Sequence, residues 1–209
     1  MTSEIPCKFD YLLKYIIIGG STVGKSNLLL RYVHQQFNVE HFLTFGLDFK
    51  AKNIQIDNKI FRIQIWDTSG PENFRSLIRS YCKKCVCILI VYDISNRETF
   101  DIASSWIEDC KKNCLKTIFM ILVGNKCDLN DRRQVSTEEG LYLSEKNNML
   151  FYETSAKDGI NVEEIFLYSA NIYQEKLIKD ITILIMRKVE LKKAQILYLL
   201  KIVLILIII

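Results

Sequence analysis

The 209-residue sequence has no strong excess of either charge: 28 Lys/Arg stand against 24 Asp/Glu, a formal net charge of +4. Read as spread along the chain, that balance excludes the electrostatic footprint of a nucleic-acid partner. The seven cysteines are odd in number and follow no regular spacing, which excludes a disulfide scaffold and points to a reducing compartment. No apolar core follows the polar start Met1-Thr2-Ser3-Glu4, so no secretory signal is read and the expected setting is cytoplasmic. Proline is scarce, with only Pro6 and Pro71, and no cysteine follows Cys127. The length accommodates one domain of about 175 residues and a tail. A domain of that size buries roughly 70% of its surface, so it needs no disulfide or metal for stability.

What the sequence does have is an alternation of short apolar runs and helical patterns. Lys14 to Ile18 reads as a strand running into Gly19-Gly20, and Lys25 to Gln35 carries leucines at helical spacing. Phe49 to Asp57 and Lys59 to Trp66 alternate about the turn residue Asn58, the pattern of a hairpin. Val86 to Tyr92 and Ile118 to Val123 are nearly continuous apolar runs, as expected of central parallel strands covered on both faces. A further strand begins at Leu150 or Phe151. Helical patterns occupy Glu98 to Lys111, Thr137 to Lys146 and Val162 to Ile178, with Ser136 and Glu139 at capping-box spacing. Cys82, Cys85 and Cys87 form a C-x-x-C-x-C run. No second ligand pair at metal spacing accompanies it, so core cysteines are expected there rather than zinc. The sum is an α/β fold, a mostly parallel sheet with helices on both faces, whose ligand belongs at the carboxyl ends of the strands.

The motifs fall on those strand ends. Gly19-Gly20-Ser21-Thr22-Val23-Gly24-Lys25-Ser26 lies between the first strand and the first helix and matches G-x-x-x-x-G-K-[ST]. Glycine lets successive backbone N–H groups turn inward around phosphate oxygens, and the helix N-terminus adds positive potential. Lys25 is placed to reach the β- and γ-phosphates, and the Ser26 hydroxyl to ligate Mg²⁺. Asn125-Lys126-Cys127-Asp128 follows the strand ending at Gly124. A carboxylate at Asp128 accepts from both the ring N1–H and the exocyclic amine of guanine, which adenine does not offer; losing such a buried contact discriminates strongly against the wrong base. Ser155-Ala156-Lys157 ends the next strand, where its backbone N–H groups would meet the guanine carbonyl oxygen. Taken singly, each motif could be an ordinary glycine turn or polar loop. A P-loop ATPase or kinase is opposed by the 125–128 tetrapeptide and by the lack of a lid.

With Trp66-Asp67-Thr68-Ser69-Gly70-Pro71-Glu72 added, these residues resemble the Ras superfamily, and specifically the Rab family of membrane-traffic GTPases, over about residues 8 to 178. The resemblance implies the small GTPase form of the P-loop NTPase fold, with a six-stranded sheet. It also implies GTP/GDP and Mg²⁺ as ligands, a nucleotide domain over 1–178 and a tail over 179–209. Lys14-Tyr15-Ile16-Ile17-Ile18-Gly19, Ile63-Gln64-Ile65-Trp66, Phe74-Arg75-Ser76, Arg79-Ser80-Tyr81 and Glu138-Glu139-Gly140 look most like the Rab type-two subgroup, which works between endoplasmic reticulum and Golgi. Types four, fourteen and nineteen are similar too.

Roles carry over from that resemblance by position. The phosphate contacts fall to Gly19, Ser21, Thr22, Val23, Gly24, Lys25, Ser26 and Asn27. Phe37 matches the aromatic that stacks across guanine, beside Asn125, Lys126, Asp128, Ser155, Ala156 and Lys157. Ser26, Thr44 and Asp67 match the magnesium positions, Asp67 acting through water and Thr44 only when a γ-phosphate is present. Gly70 matches the glycine whose N–H bonds that phosphate, so its loss relaxes both loops. The catalytic positions are Lys25, Gly70 and Pro71. Effectors, exchange factors and activating proteins are expected at Thr44 to Phe49 and Trp66 to Tyr81. There Phe45-Gly46-Leu47-Asp48-Phe49, Trp66, Phe74 and Tyr81 would form an exposed apolar patch, with Cys82 where other Rab proteins have a second tyrosine. The simpler alternative for Phe37, Phe49 and Trp66 is core packing. A monomer at the cytosolic face of ER or Golgi membranes is expected.

Three departures stand out. Thr22 replaces a phosphate-loop glycine; if the position needs a glycine-only backbone angle, that strains the loop by about 1 to 3 kcal/mol. Pro71 stands where a glutamine orients the attacking water, and it has neither a side-chain amide nor an N–H. The third is the tail, where the family's C-terminal prenylation cysteines are missing. In their place stand Ile181 to Met186, the basic Arg187-Lys188 and Lys192-Lys193, and a run from Ala194 to Ile209 that is apolar except for Gln195, Tyr198 and Lys201. That run falls short of the roughly 20 residues that span a bilayer. The readings open for it are a short anchor or interfacial basic helix touching membrane, a helix packed on its own domain, and residues foreign to the natural protein.

Overall fold

Alternating apolar side chains on β1 (Tyr11–Gly19) divide the protein into two core layers. The computed structural model describes residues 8–39, 47–68, 85–115 and 117–208. In chain order these form β1, α1 (Lys25–His34), β2 (Leu47–Ile56), β3 (Lys59–Thr68), β4 (Cys87–Asp93), α2 (Arg97–Asn113), β5 (Phe119–Asn125), a 3-10 turn (Cys127–Arg132), α3 (Thr137–Lys146), β6 (Leu150–Thr154) and α4 (Val162–Ile208). The six strands make one sheet in the order β2-β3-β1-β4-β5-β6. Only the β2–β3 pair is antiparallel. This is the P-loop small GTPase arrangement expected.

On one face Tyr15 lies near Phe166 of α4, and its hydroxyl shares a buried 2.9 Å hydrogen bond with Ser169. Phe166 also stacks on Tyr32 of α1 with ring centroids 3.9 Å apart. On the other face Ile16 and Ile18 join Ile88, Ile90 and Tyr92 against Phe100, Ala103, Trp106 and Ile107 of α2. β1 starts three residues before the apolar run suggests, because Tyr11 pairs with Phe61 and their rings stack at 4.9 Å. The β2–β3 hairpin closes with Ile56 opposite Lys59, and Asp57 takes the left-handed conformation (φ 51°) that a tight turn demands. In α3 the capping box is reciprocal: Ser136 Oγ accepts from the Glu139 N–H at 3.2 Å, and Glu139 Oε2 accepts from the Ser136 N–H at 3.0 Å.

Cys85 and Cys87 are buried, and burial pushes the Cys87 thiol well above the ordinary range, so it stays a protonated apolar filler. Cys82 lies outside the described residues, among which no group of three or more His, Cys, Asp or Glu is placed to hold a metal ion.

The length of α4 and the distribution of charge both differ from expectation. The helix runs on from Ile178 to Ile208, since neither glycine nor proline interrupts those residues. The chain forms two units, Met1–Ala170 and Asn171–Ile209. The positive charge is not spread along the chain. The second unit holds seven Lys/Arg against three Asp/Glu, a difference equal to the +4 of the whole chain.

Candidate functional site

The carboxyl ends of β1, β3, β4, β5 and β6 bring the motif residues together. The turn from β1 into α1 is wrapped around Lys25, which is buried and donates from Nζ to the carbonyls of Gly19 at 3.1 Å and Gly20 at 2.7 Å. Burial pulls this ammonium down to about 8, with the Asp67 carboxylate pulling the other way. A buried cation at a helix N-terminus suits a phosphate anion. Beside it the Ser26 hydroxyl donates to Asp67 Oδ2 at 2.5 Å, joining the start of α1 to the end of β3. A hydroxyl and a carboxylate converging in this way are hard oxygen donors that fit Mg²⁺, which takes few protein ligands.

The 125–128 loop is locked to the 19–26 loop. Asn125, almost wholly buried, donates from Nδ2 to the Val23 carbonyl at 2.8 Å and accepts at Oδ1 from Thr154 Oγ1 at 3.0 Å. Contact is close enough that a Cβ on Gly24 (φ 94°) would sit 2.5 Å from the Asn125 amide nitrogen; only glycine fits there. Lys126 adopts a left-handed backbone (φ 65°) and pairs with Asp93 at 2.6 Å. Asp128 accepts at Oδ1 from the Ser155 hydroxyl at 2.6 Å, which orients its carboxylate toward the end of β6. Ser155 and Ala156 are buried in the turn that Gly159 closes, its N–H donating to the Ser155 carbonyl at 2.8 Å.

The sequence that builds these strand ends matches the Ras family over residues 14–175. The chain belongs to the Ras family. Ras-related protein Rab-2B of Dictyostelium discoideum is 45% identical over 169 residues, covering 81% of this chain and 84% of that protein. The Rab resemblance, on its type-two side, therefore holds.

Within this Ras-family domain, Thr22 takes φ 60°, the left-handed conformation anticipated for a glycine position. For a β-branched residue that strain is about 1–2 kcal/mol. Thr22→Gly is expected to stabilise the fold by about 0.5–1 kcal/mol, once the extra freedom of an unfolded glycine is offset. A urea midpoint that does not rise would show the loop to be unstrained. Ser21 is exposed on the rim of the same loop. The Asn27 side chain is taken up by the backbone of Asn38, and Phe37 is 36% exposed between them in sequence. Thr44, Gly70 and Pro71 lie outside the described residues.

Part of the expected partner surface is visible. Phe49 is half-exposed and meets Trp66 in a tilted contact with ring centroids 5.1 Å apart, while Trp66 packs partly against the core, so core packing accounts for one side of the pair. Both lie on the β2–β3 hairpin, where β2 is the sheet edge. Phe45, Phe74, Tyr81 and Cys82 fall outside the described residues.

Sequence reasoning passed over three residues that shape this Ras-family site: Asp93, Thr154 and Arg31. Asp93 and Thr154 are the last residues of parallel strands, β4 and β6. Their position at carboxyl ends, polar after apolar runs, was a usable signal. Arg31 gave none, because the two partners that tie it to this site lie 125 and 126 residues away.

Proposed function

We propose that this chain is a Rab-type guanine-nucleotide switch in vesicle traffic, binding GTP and GDP with Mg²⁺ and recruiting effectors in the GTP state. The observation that supports it most is the joint at Asn125, which links the phosphate loop at Val23 to the end of β6 at Thr154, beside the Ser155–Asp128 pair. In this reading Lys25 and the 19–26 backbone hold the phosphates, with Asn27 supporting the loop. Ser26, Thr44 and Asp67 serve the magnesium ion. Phe37, Lys126, Asp128 and the 155–157 loop hold guanine, and Gly70 senses the γ-phosphate. Magnesium would supply charge neutralisation on the phosphates; every other role belongs to the chain. Effectors, exchange factors and activating proteins would read Thr44 to Phe49 and Trp66 to Tyr81.

Pro71 supports a second reading, a guanine-nucleotide adaptor that recruits partners without a hydrolytic cycle. Extraction of nucleotide from purified protein, followed by a hydrolysis time course with and without an activating protein, tests both. Bound guanine nucleotide is expected in either case, whereas orthophosphate release occurs only in the switch. Absence of guanine nucleotide at saturating GDP sinks both.

For location we propose the cytosolic face of endomembranes, with contact through the second unit. Ile178, Leu184, Ile185 and Met186 are all more than half exposed, and that unit carries the whole charge excess. Among the described residues no helix is long and apolar enough to cross a membrane. An apolar, basic helix lying in an anionic lipid interface fits both facts. Full-length protein is expected to sediment with phosphatidylserine vesicles and to be released by salt. The double substitution of Leu184→Asp and Ile185→Asp should abolish this, and equal binding by that variant counts against it.

A further inference from the structure

We propose that Asn27 and Arg31, one turn apart on α1, are positioning residues for guanine, holding the two chain segments that would flank the base. This rests on the guanine-nucleotide reading above. Neither residue is placed to touch the base; each acts through backbone it grips.

Arg31 grips three carbonyls with one planar group. Its Nε donates to Ala156 O at 2.8 Å, Nη2 to Lys157 O at 2.5 Å, and Nη1 to Gln35 O at 3.1 Å. A guanidinium presents its donors in a rigid fork, so three acceptors held at once set the loop after β6 and the turn after α1 in one fixed relation. The 155–159 turn lies alongside it, and Gly159 takes the left-handed backbone (φ 79°) that closes that turn.

Asn27 grips the other segment. Its Nδ2 donates to Asn38 O at 3.0 Å while its Oδ1 accepts from the Asn38 N–H at 3.0 Å, a closed two-bond pair. Asn38 directly follows Phe37, and Gln35, held by Arg31, stands two residues before it. The backbone carrying the Phe37 ring is thus pinned on both sides from a single helix. Gln35 caps α1 in the left-handed conformation (φ 56°), and its N–H donates to the Arg31 carbonyl at 2.9 Å, so Arg31 holds this residue by backbone as well as by side chain. A further tie runs from Gln35 Nε2 to Glu163 Oε2 at 3.3 Å, and Glu163 Oε1 is itself paired with Lys52 at 2.7 Å.

The geometry divides the labour. Ala156 and Lys157 belong to the loop expected at the guanine carbonyl oxygen, and Phe37 to the opposite face of the ring. Among the described residues, the side-chain bonds of Arg31 and Asn27 go to residues 35, 38, 156 and 157 rather than to Lys25, Ser26 or Asp67, which are expected at the phosphate and magnesium. Loosening the clamp should therefore free the base end and leave the metal end as it was.

The experiment is the GDP dissociation rate of the full chain, with Mg²⁺ and after its removal by EDTA, for Arg31→Met, Arg31→Lys and Asn27→Ala. Arg31→Met keeps the apolar stem and loses every donor; dissociation is expected to be roughly tenfold faster, the scale of one lost charge-assisted hydrogen bond. Arg31→Lys, with one point donor for three carbonyls, should fall between Arg31→Met and the parent, and Asn27→Ala should accelerate loss about threefold. The acceleration produced by EDTA should be the same factor in all four proteins, since independent ends add in free energy. A general loosening of the fold would instead shrink that factor, and this overturns the positioning role. Dissociation within twofold of the parent in both Arg31→Lys and Asn27→Ala overturns it as well, even if Arg31→Met fails to fold. A parent chain that retains no GDP overturns the guanine reading itself, a result distinct from either.

Discussion

Replacing Lys25 with alanine is expected to weaken GDP binding roughly 30- to 5,000-fold, the 2–5 kcal/mol that truncating one partner of a buried charge pair typically costs. The side chain is buried where the phosphate loop closes, and its own partners are two backbone carbonyls, Gly19 and Gly20, which bear no formal charge. Its proton affinity supplies a second measurement on unaltered protein. Burial lowers the folded value to about 8, against 10.5 for the free side chain. As pH rises through about 8 the cation is lost, so GDP affinity should be flat near neutrality and then fall by up to about tenfold per unit. Fold stability should move the other way. Burying the charged form is a penalty on the order of 3 kcal/mol, fully present below about pH 8 and relieved as pH climbs toward 10.5, where the unfolded chain still holds the proton. Opposed trends in a GDP titration and a denaturation series from pH 7 to 10 would bear this out; a GDP affinity unchanged over that range would remove Lys25 from the phosphate site.

Restoring glutamine at position 71 is expected to raise single-turnover GTP hydrolysis on the order of 10²-fold, the effect of misplacing a reacting group by ~1 Å. Proline cannot hydrogen-bond a water from its side chain or its nitrogen. It also biases Gly70 toward extended backbone, at the residue expected to bond the γ-phosphate. GDP affinity should be little changed, because Pro71 is expected at the γ-phosphate, which GDP lacks. The parent protein would then sit mostly GTP-bound after exchange, unless an activating protein supplies the missing groups. An arginine in trans alone is worth about 10³ to 10⁵ in rate. If the parent already hydrolyses GTP at the rate of Pro71→Gln, the assignment of this position is wrong.

The local alphabet made much of this protein legible. Apolar runs at Val86 to Tyr92 and Ile118 to Val123 read as central buried strands, and they became β4 and β5 within a residue or two. Ser136 and Glu139 wrote the start of α3, and Asn58 the hairpin. Such features depend on neighbours in sequence, through backbone sterics and hydrogen bonds over a few residues. The placement of the 19–26 loop and the 125–128 tetrapeptide at strand ends was readable for the same reason, because each follows directly on an apolar run.

Long-range partnerships were not legible. The two ends of β1 differ because Tyr11 finds Phe61 only when β3 lies alongside. The charge excess looked diffuse until the fold separated Asn171–Ile209 from the rest. Lys126 gave no sign that Asp93 would neutralise it at 2.6 Å, nor Arg31 that it would clasp a loop 125 residues on. The sequence by itself determined that the chain is a Ras-family nucleotide fold, because its motifs are local and ordered. Only the tertiary structure decided which side chains hold that pocket together, because a hydrogen bond between strand ends exists only once the sheet has set them side by side.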